Sequence, residues 1–430
     1  MINRGLLAIL AVVVAVGVGY LALAWRPPIG AVEPPAAADF SQDAIARGAE
    51  LAEAGYCASC HTLAGGADYA GGRGIVSDFG TIYATNITPD PEYGIGTWSE
   101  AAFARAMHAG VRRDGAHLFP AFPYTHFAKL SDTDVAALYA YFMTREPVAD
   151  DVPETELPFP FGIRGLQGGW KVLYFRGGRF RPDAEQSEAW NRGAYLAEGL
   201  GHCSACHSPR NSLGAEQSGA QRYAGALIDD WYAPAINASP DAPLPWTSDE
   251  LYAYLRTGAS PLHGAAAGSM AEVVHGLAAL PDADIQALAA YFSDLGDAPA
   301  DVSNEEVAAV MRRPADLNLF AAQDRGAQLF ASYCVSCHLN APGAPSAARP
   351  ELALNSAVVG PDPSNFLRAV LHGVSEPDGA PDASMPSFDL VLSDQDVVDI
   401  ADFLRATYAS DASAAWNDLA ARSNALRQLN

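Results

Sequence analysis

The sequence predicts an all-α protein: three tandem copies of one small helical domain behind a single N-terminal membrane-spanning helix. Three observations carry this expectation. The string Cys-x-x-Cys-His occurs three times, at Cys57–His61, Cys203–His207 and Cys334–His338, and accounts for all six cysteines. The same three helical signals surround each copy, as expected of an array of similar domains. An apolar run from Gly5 to Trp25 opens the chain.

Each motif follows a short amphipathic segment that starts Arg-Gly-Ala: Arg47-Gly48-Ala49, Arg192-Gly193-Ala194 and Arg325-Gly326-Ala327. A second shared segment ends on glycine, which suits a helix stop: Phe103 to Gly110, Leu251 to Gly258 and Phe366 to Gly373. The third closes each domain. Leu130-Ser131-Asp132 leads to Tyr141-Phe142, Leu280-Pro281-Asp282 to Tyr291-Phe292, and Leu392-Ser393-Asp394 to Phe403-Leu404. Ser131 and Ser393, each with an Asp three residues on, predict capped helix starts with acid at the positive end of the dipole.

These signals divide the 430 residues into an anchor with linker (1–38), domain 1 (39–150), a Pro-rich linker (151–182), domain 2 (183–297), a second linker (298–316), domain 3 (317–410) and a tail (411–430). Phe161 to Arg181, apolar and aromatic around Gly168-Gly169-Trp170, is read as a packing segment, between domains or against a partner. The tail, with Trp416, Leu419 and Leu426, is read as an interfacial helix with a sparse apolar face.

The apolar run matches the thickness of a bilayer's hydrocarbon core. Arg4 precedes it, so the N-terminus is expected to stay in the cytoplasm and the helical domains to face the periplasm of a bacterial inner membrane. Ala22-Leu23-Ala24 offers a competing signal-peptidase site. The run is longer than the usual signal core of about 7–15 residues, which favours an uncleaved anchor.

Cys-x-x-Cys-His is the attachment signature of c-type haem. Cys57 and Cys60, Cys203 and Cys206, and Cys334 and Cys337 are the expected thioether positions. His61, His207 and His338 are the expected proximal iron ligands. Disulfide chemistry leaves the histidine unexplained. Three covalent haem c groups follow. The sixth ligand is expected between the second and third shared segments. Met385 lies seven residues before Leu392, and Met270 ten before Leu280. Domain 1 has Phe122 where a Met is expected, and Phe cannot ligate iron. His126 is the favoured ligand there, with Met107, His117 and an open site as alternatives. His108, His202, His263, His275 and His372 read as surface or haem-edge residues, and Met143 and Met311 as packing residues.

With 26 basic against 50 acidic residues and a net charge of −24, nucleic-acid binding is disfavoured. The acidity serves solubility or steers a positively charged redox partner. No phosphate loop or nucleophile elbow is present, and the glycines of residues 65–74 lack dinucleotide-binding context.

Residues 40–410 resemble class I cytochrome c domains. Phe79-Gly80-Thr81-Ile82-Tyr83-Ala84-Thr85-Asn86, Gly94-Ile95-Gly96-Thr97-Trp98, Trp231-Tyr232-Ala233-Pro234 and Ser269-Met270 resemble the membrane-anchored tri-haem cytochrome c subunits of bacterial periplasmic dehydrogenases. The resemblance implies electron transfer from a catalytic dehydrogenase subunit to ubiquinone or a terminal oxidase, with no substrate chemistry in this chain. One branch of that family serves PQQ alcohol dehydrogenases and flavin sugar-acid dehydrogenases and carries Met in the Pro-Ala-Met-Pro-Tyr loop. The other serves molybdopterin enzymes with iron–sulfur clusters, of the nicotinate, isoquinoline and aldehyde dehydrogenase type. Pro120-Ala121-Phe122-Pro123-Tyr124 with the following His126 resembles the second, which is the favoured reading. A haem peroxidase is the reading from a different class, and needs an open iron in domain 1.

Overall fold

The computed structural model describes residues 24–228, 230–238, 242–303, 306–307, 324–338, 346, 348–375, 383–409 and 415–428, with positions 5, 11–12, 14, 17 and 19–20. The chain divides into two compact units. One is Met1–Arg181 with Glu198–His202; the other is Pro182–Ala197 with Cys203–Asn430. The first holds one Cys-x-x-Cys-His motif. The second holds two.

Each motif sits in the same helical frame. A leading helix (Gln42–Ala54, Glu188–Tyr195 or Arg325–Tyr333) delivers it, and a closing helix (Asp132–Met143, Asp282–Leu295 or Asp394–Tyr408) crosses that leading helix. The crossings are close enough to require glycine. A Cβ on Gly48 would lie 2.1 Å from the Ala137 carbonyl oxygen; on Gly193, 2.0 Å from that of Ala287; on Gly326, 2.0 Å from that of Asp399. The preceding arginine ties the same two helices. Arg47 Nε bonds Asp134 at 3.2 Å, Arg192 grips Asp284 through two nitrogens at 2.7 and 2.6 Å, and Arg325 reaches Asp396 at 2.8 Å. The Arg-Gly-Ala string is therefore a helix-crossing device: charge at the rim, no side chain at the contact.

Ser131 and Ser393 cap their closing helices by accepting from the amides of Asp134 and Asp396, and Ser393 completes a capping box. The middle helices, Glu100–Ala109, Ser248–Thr257 and Ser364–His372, stop at Gly110, Gly258 and Gly373 with φ of 59°, 80° and 80°. Side chains with a Cβ rarely adopt that conformation.

The described residues are mostly helical, which fits the expected all-α class, and among them three short antiparallel hairpins join the helices: β1 Gly74–Ser77 with β2 Gly80–Tyr83, β3 Ala226–Ile228 with β4 Trp231–Ala233, and β5 Ala259–Ser260 with β6 Gly264–Ala265. Gly80 makes the first turn at φ 114°. One expectation needs correction. The tail is not an interfacial helix. Leu419–Arg427 folds onto domain 3, burying Leu419 and Leu426 in its core while Arg427 bonds Asp389 and Asp394.

Among the described residues no helix is long and apolar enough to cross a membrane. Most of the expected anchor, residues 1–23, lies outside the described residues. The 151–182 linker contains a helix, Arg164–Tyr174.

Candidate haem sites

All three motifs form a short helical turn beyond the leading helix, Cys57–His61, Ser204–His207 and Val335–His338, with a further helical segment, Leu196–Leu200, in between in the second. Tyr56 and His202, the residues before the first two motifs, turn the chain at φ 37° and 33°. None of the six cysteines is engaged in a disulfide. Burial pushes the Cys57 and Cys203 thiols up to about 12 and that of Cys334 to about 11, so all three are protonated at neutral pH.

The histidines share one arrangement. His61 Nδ1 lies 2.6 Å from the Thr85 carbonyl oxygen, His207 Nδ1 2.7 Å from that of Pro234, and His338 Nδ1 3.0 Å from that of Pro350. A carbonyl only accepts, so each Nδ1 carries the proton and each Nε2 keeps its lone pair. This tautomer and orientation suit an imidazole that binds metal through Nε2. Burial lowers the pKa of all three, outweighing the carbonyl bonds that raise it, and this keeps the rings neutral. Paired thiols followed by an Nε2-presenting imidazole fit covalent haem c.

The loops after the first two motifs are also matched. The Thr62 hydroxyl accepts from the Tyr69 amide at 3.1 Å, and the Ser208 hydroxyl from the Tyr223 amide at 2.9 Å. Both tyrosines hold φ 61°. The amides of Gly71 and Gly225 then donate to the motif histidines' own carbonyls, at 2.7 and 2.8 Å. Both tyrosine rings meet the closing helix edge-on, Tyr69 on Phe142 and Tyr223 on Phe292. The signal that could have found this support is a Tyr-Ala-Gly repeat, at residues 69–71 and 223–225. The corresponding residues of domain 3 lie outside the described residues.

The opposite side differs between repeats. Met270 lies in the first turn of a helix, Ser269–Leu277, behind Gly268, where a Cβ would strike the Trp231 ring. Met385 is extended and paired with Val374 through two backbone bonds. Phe122 stacks edge-on against Phe127. His126 is buried on the helical turn Tyr124–Phe127, with Nδ1 3.0 Å from the Glu198 carbonyl oxygen. That is the same imidazole–carbonyl pairing as at the motif histidines. Met107 is buried on the middle helix. His117 leaves the set of candidate ligands, because both ring nitrogens are committed: Nε2 to the Ala24 carbonyl at 2.6 Å, Nδ1 to Lys171 Nζ at 3.0 Å.

Among the histidines read as surface or haem-edge residues, one is placed otherwise. His263 is buried and stacked on Trp246 at 3.6 Å, with a pKa lowered to about 3 chiefly by burial. His202 bonds the Tyr56 hydroxyl at 3.0 Å. Met143 is buried as expected, and Met311 lies outside the described residues.

Paired thiols, carbonyl-held imidazoles and crossed helices define a c-type cytochrome, a class the sequence comparisons narrow. The cytochrome c family matches residues 45–146, and the cytochrome c oxidase, cbb3-type, subunit III family matches residues 321–404. The chain is 37% identical to the fructose dehydrogenase cytochrome subunit of Gluconobacter japonicus, over 88% of this chain and 83% of that one. It is 38% identical to the gluconate 2-dehydrogenase cytochrome c subunit of Pantoea cypripedii, over 87% and 88%. It is also 45% identical to a nicotinate dehydrogenase subunit of Pseudomonas putida over 96% of this chain, but it spans only 34% of that relative's length. The chain belongs to the family of cytochrome c subunits of dehydrogenases. It is an electron-transfer protein.

Proposed function

We propose that the chain binds three haem c groups and relays electrons from a catalytic dehydrogenase subunit to ubiquinone or a terminal oxidase, at the periplasmic face of a bacterial inner membrane. The observation that carries the count is that one Nδ1-to-carbonyl geometry recurs at all three Cys-x-x-Cys-His motifs. Bound haem c supplies a one-electron iron couple. The chain's residues set the rest. Cys57 and Cys60, Cys203 and Cys206, and Cys334 and Cys337 form the thioethers. His61, His207 and His338 are the proximal ligands. Met270 and Met385 complete the second and third sites, and His126 the first, its buried ring held by the Glu198 carbonyl. Pyridine haemochrome quantitation tests the count: three haems per chain are expected, and two would remove one of these sites.

The catalytic partner is proposed to be a molybdopterin enzyme with an iron–sulfur subunit. Phe122 in place of Met, and the 45% identity to the nicotinate dehydrogenase subunit, support this. The fructose and gluconate dehydrogenase relatives favour a second reading, in which the partner is a flavin or PQQ enzyme. Metal analysis of the native complex separates them: molybdenum is expected, and calcium with PQQ and no molybdenum overturns the first reading. The membrane anchor is the apolar run Leu6 to Trp25; a mature N-terminus at Trp25 would overturn it.

A further inference from the structure

The helix Arg164–Tyr174 is built inside out. Its polar side chains face the protein. Lys171 is buried, and its ammonium meets the Ala109 and Gly110 carbonyls at 2.7 and 2.6 Å and His117 Nδ1 at 3.0 Å, three acceptors for three protons. Arg164 donates to the His117 carbonyl at 3.1 Å and lies over the Phe119 ring. Leu166, Val172 and Leu173 are 44%, 54% and 58% exposed, and Phe159, Phe161 and Ile163 just before them are exposed too. At helical spacing, Ile163, Leu166, Gly169, Trp170 and Leu173 share one face, with Val172 and Gly165 along its edge. No charge lies on it. A helix exposed to water normally presents the reverse pattern.

Two further observations say what covers this face. The C-terminal end of the expected anchor lies against the same helix. Ala24 is in contact at Gly168, where a Cβ would come within 2.6 Å of the Ala24 methyl, and the Tyr20 hydroxyl donates to the Gly165 carbonyl. The local charge is also the opposite of the whole chain's. Residues 159–181 hold five basic residues and no acidic one, in a protein with 50 acids and 26 bases. Arg176 and Arg181, just beyond the helix, are exposed. Aromatics with polar edges, Trp170 and Tyr174, stand between the apolar and basic zones, the order found at a bilayer's headgroup level.

We infer that Phe159 to Tyr174 lies in the membrane interface: its apolar face enters the acyl boundary and Arg176 and Arg181 meet anionic phosphates. The occupant is the lipid surface. This deepens the membrane reading proposed above and rests on it.

The test uses the full chain in its native complex, in membrane vesicles carrying a phospholipid with a photoactivatable acyl chain. After illumination, peptides from 159–175 are expected to carry several-fold more lipid per residue than peptides of domain 3. Leu166→Glu with Leu173→Glu should remove that excess and leave the haem spectra unchanged. Label on the Leu6–Trp25 peptide reports the anchor separately. If that peptide is labelled and 159–175 is not, the interfacial helix is wrong and the anchor stands. If neither is labelled, the membrane reading itself fails. A photocrosslinking residue placed at Val172 that couples to the catalytic subunit in place of lipid would assign the face to a protein partner and overturn the inference.

Discussion

The first and second repeats hold a motif histidine in the same way and differ in what stands across from it. On the near side, hydroxyl, tyrosine and glycine recur with nearly the same bond lengths: Thr62, Tyr69 and Gly71 in one, Ser208, Tyr223 and Gly225 in the other. On the far side, one repeat offers Phe122 and a buried His126, the other Met270 at a helix start. The near side must hold one tautomer of one ring, so its geometry has little freedom. Under the ligands proposed above, the far side would choose between an imidazole and a thioether, and that choice would set potential. Repetition would then preserve attachment while the loops give each site its own potential.

The largest expected effects come from the shared frame. Gly48→Val and Gly193→Val each place a side chain within 2.1 Å of a carbonyl across the helix crossing, and each should cost about 3 kcal/mol or more. Thermal unfolding with haem quantitation checks this, and a mild effect in one repeat would show that the two crossings are not equivalent. Next come the far-side ligands. Met270→Ala should remove one haem's share of the weak sulfur–iron absorption band, leaving the share of the Met385 site, and lower one potential by on the order of 100 mV, within the roughly 0.8 V that axial ligands span. His126→Ala should leave that band intact and change the low-temperature EPR of a different haem. An unchanged EPR spectrum would move the first ligand to Met107.

The arginine ties should rank by geometry. Arg192 is bidentate on Asp284 and Arg47 makes one longer bond, so Arg192→Ala should cost about 1–2 kcal/mol and Arg47→Ala under about 1. Urea unfolding of both variants gives the comparison. The smallest effect belongs to domain 3, the repeat with a tail helix. Bonds from Ser423 and then Arg427 hold the Asp394 carboxyl below its usual range. A carboxylate depressed in the folded state stabilises above its unfolded pKa, and that contribution is lost as pH falls through the folded value. Amide exchange in Leu419–Arg427 should therefore rise below about pH 4, ahead of the leading helices.

The frame was legible because its parts are local and repeated. Arg-Gly-Ala, the glycine stops and the Ser131 and Ser393 caps each state a backbone requirement that one residue type meets. The Nδ1 acceptors were not legible. Thr85, Pro234 and Pro350 act through carbonyl oxygens, which every residue has, and they follow their histidines at 24, 27 and 12 residues. The commitment of His117 to Ala24 and Lys171 spans 93 and 54 residues of sequence, and no periodicity marks it. The tail misled because Leu419 and Leu426 are too few for a surface helix yet sufficient to finish a core.

The three histidine–carbonyl bonds are not equally long: 2.6 Å at His61, 2.7 Å at His207 and 3.0 Å at His338. A shorter bond draws the Nδ1 proton further toward oxygen and gives the ring more imidazolate character. Such a ring is a stronger σ-donor through Nε2 and favours the ferric state of an iron bound there. Were haem bound as proposed, each of these carbonyls would hold its histidine's Nδ1 proton and orient Nε2, so the main chain as well as the sixth ligand would bear on the potential at every motif.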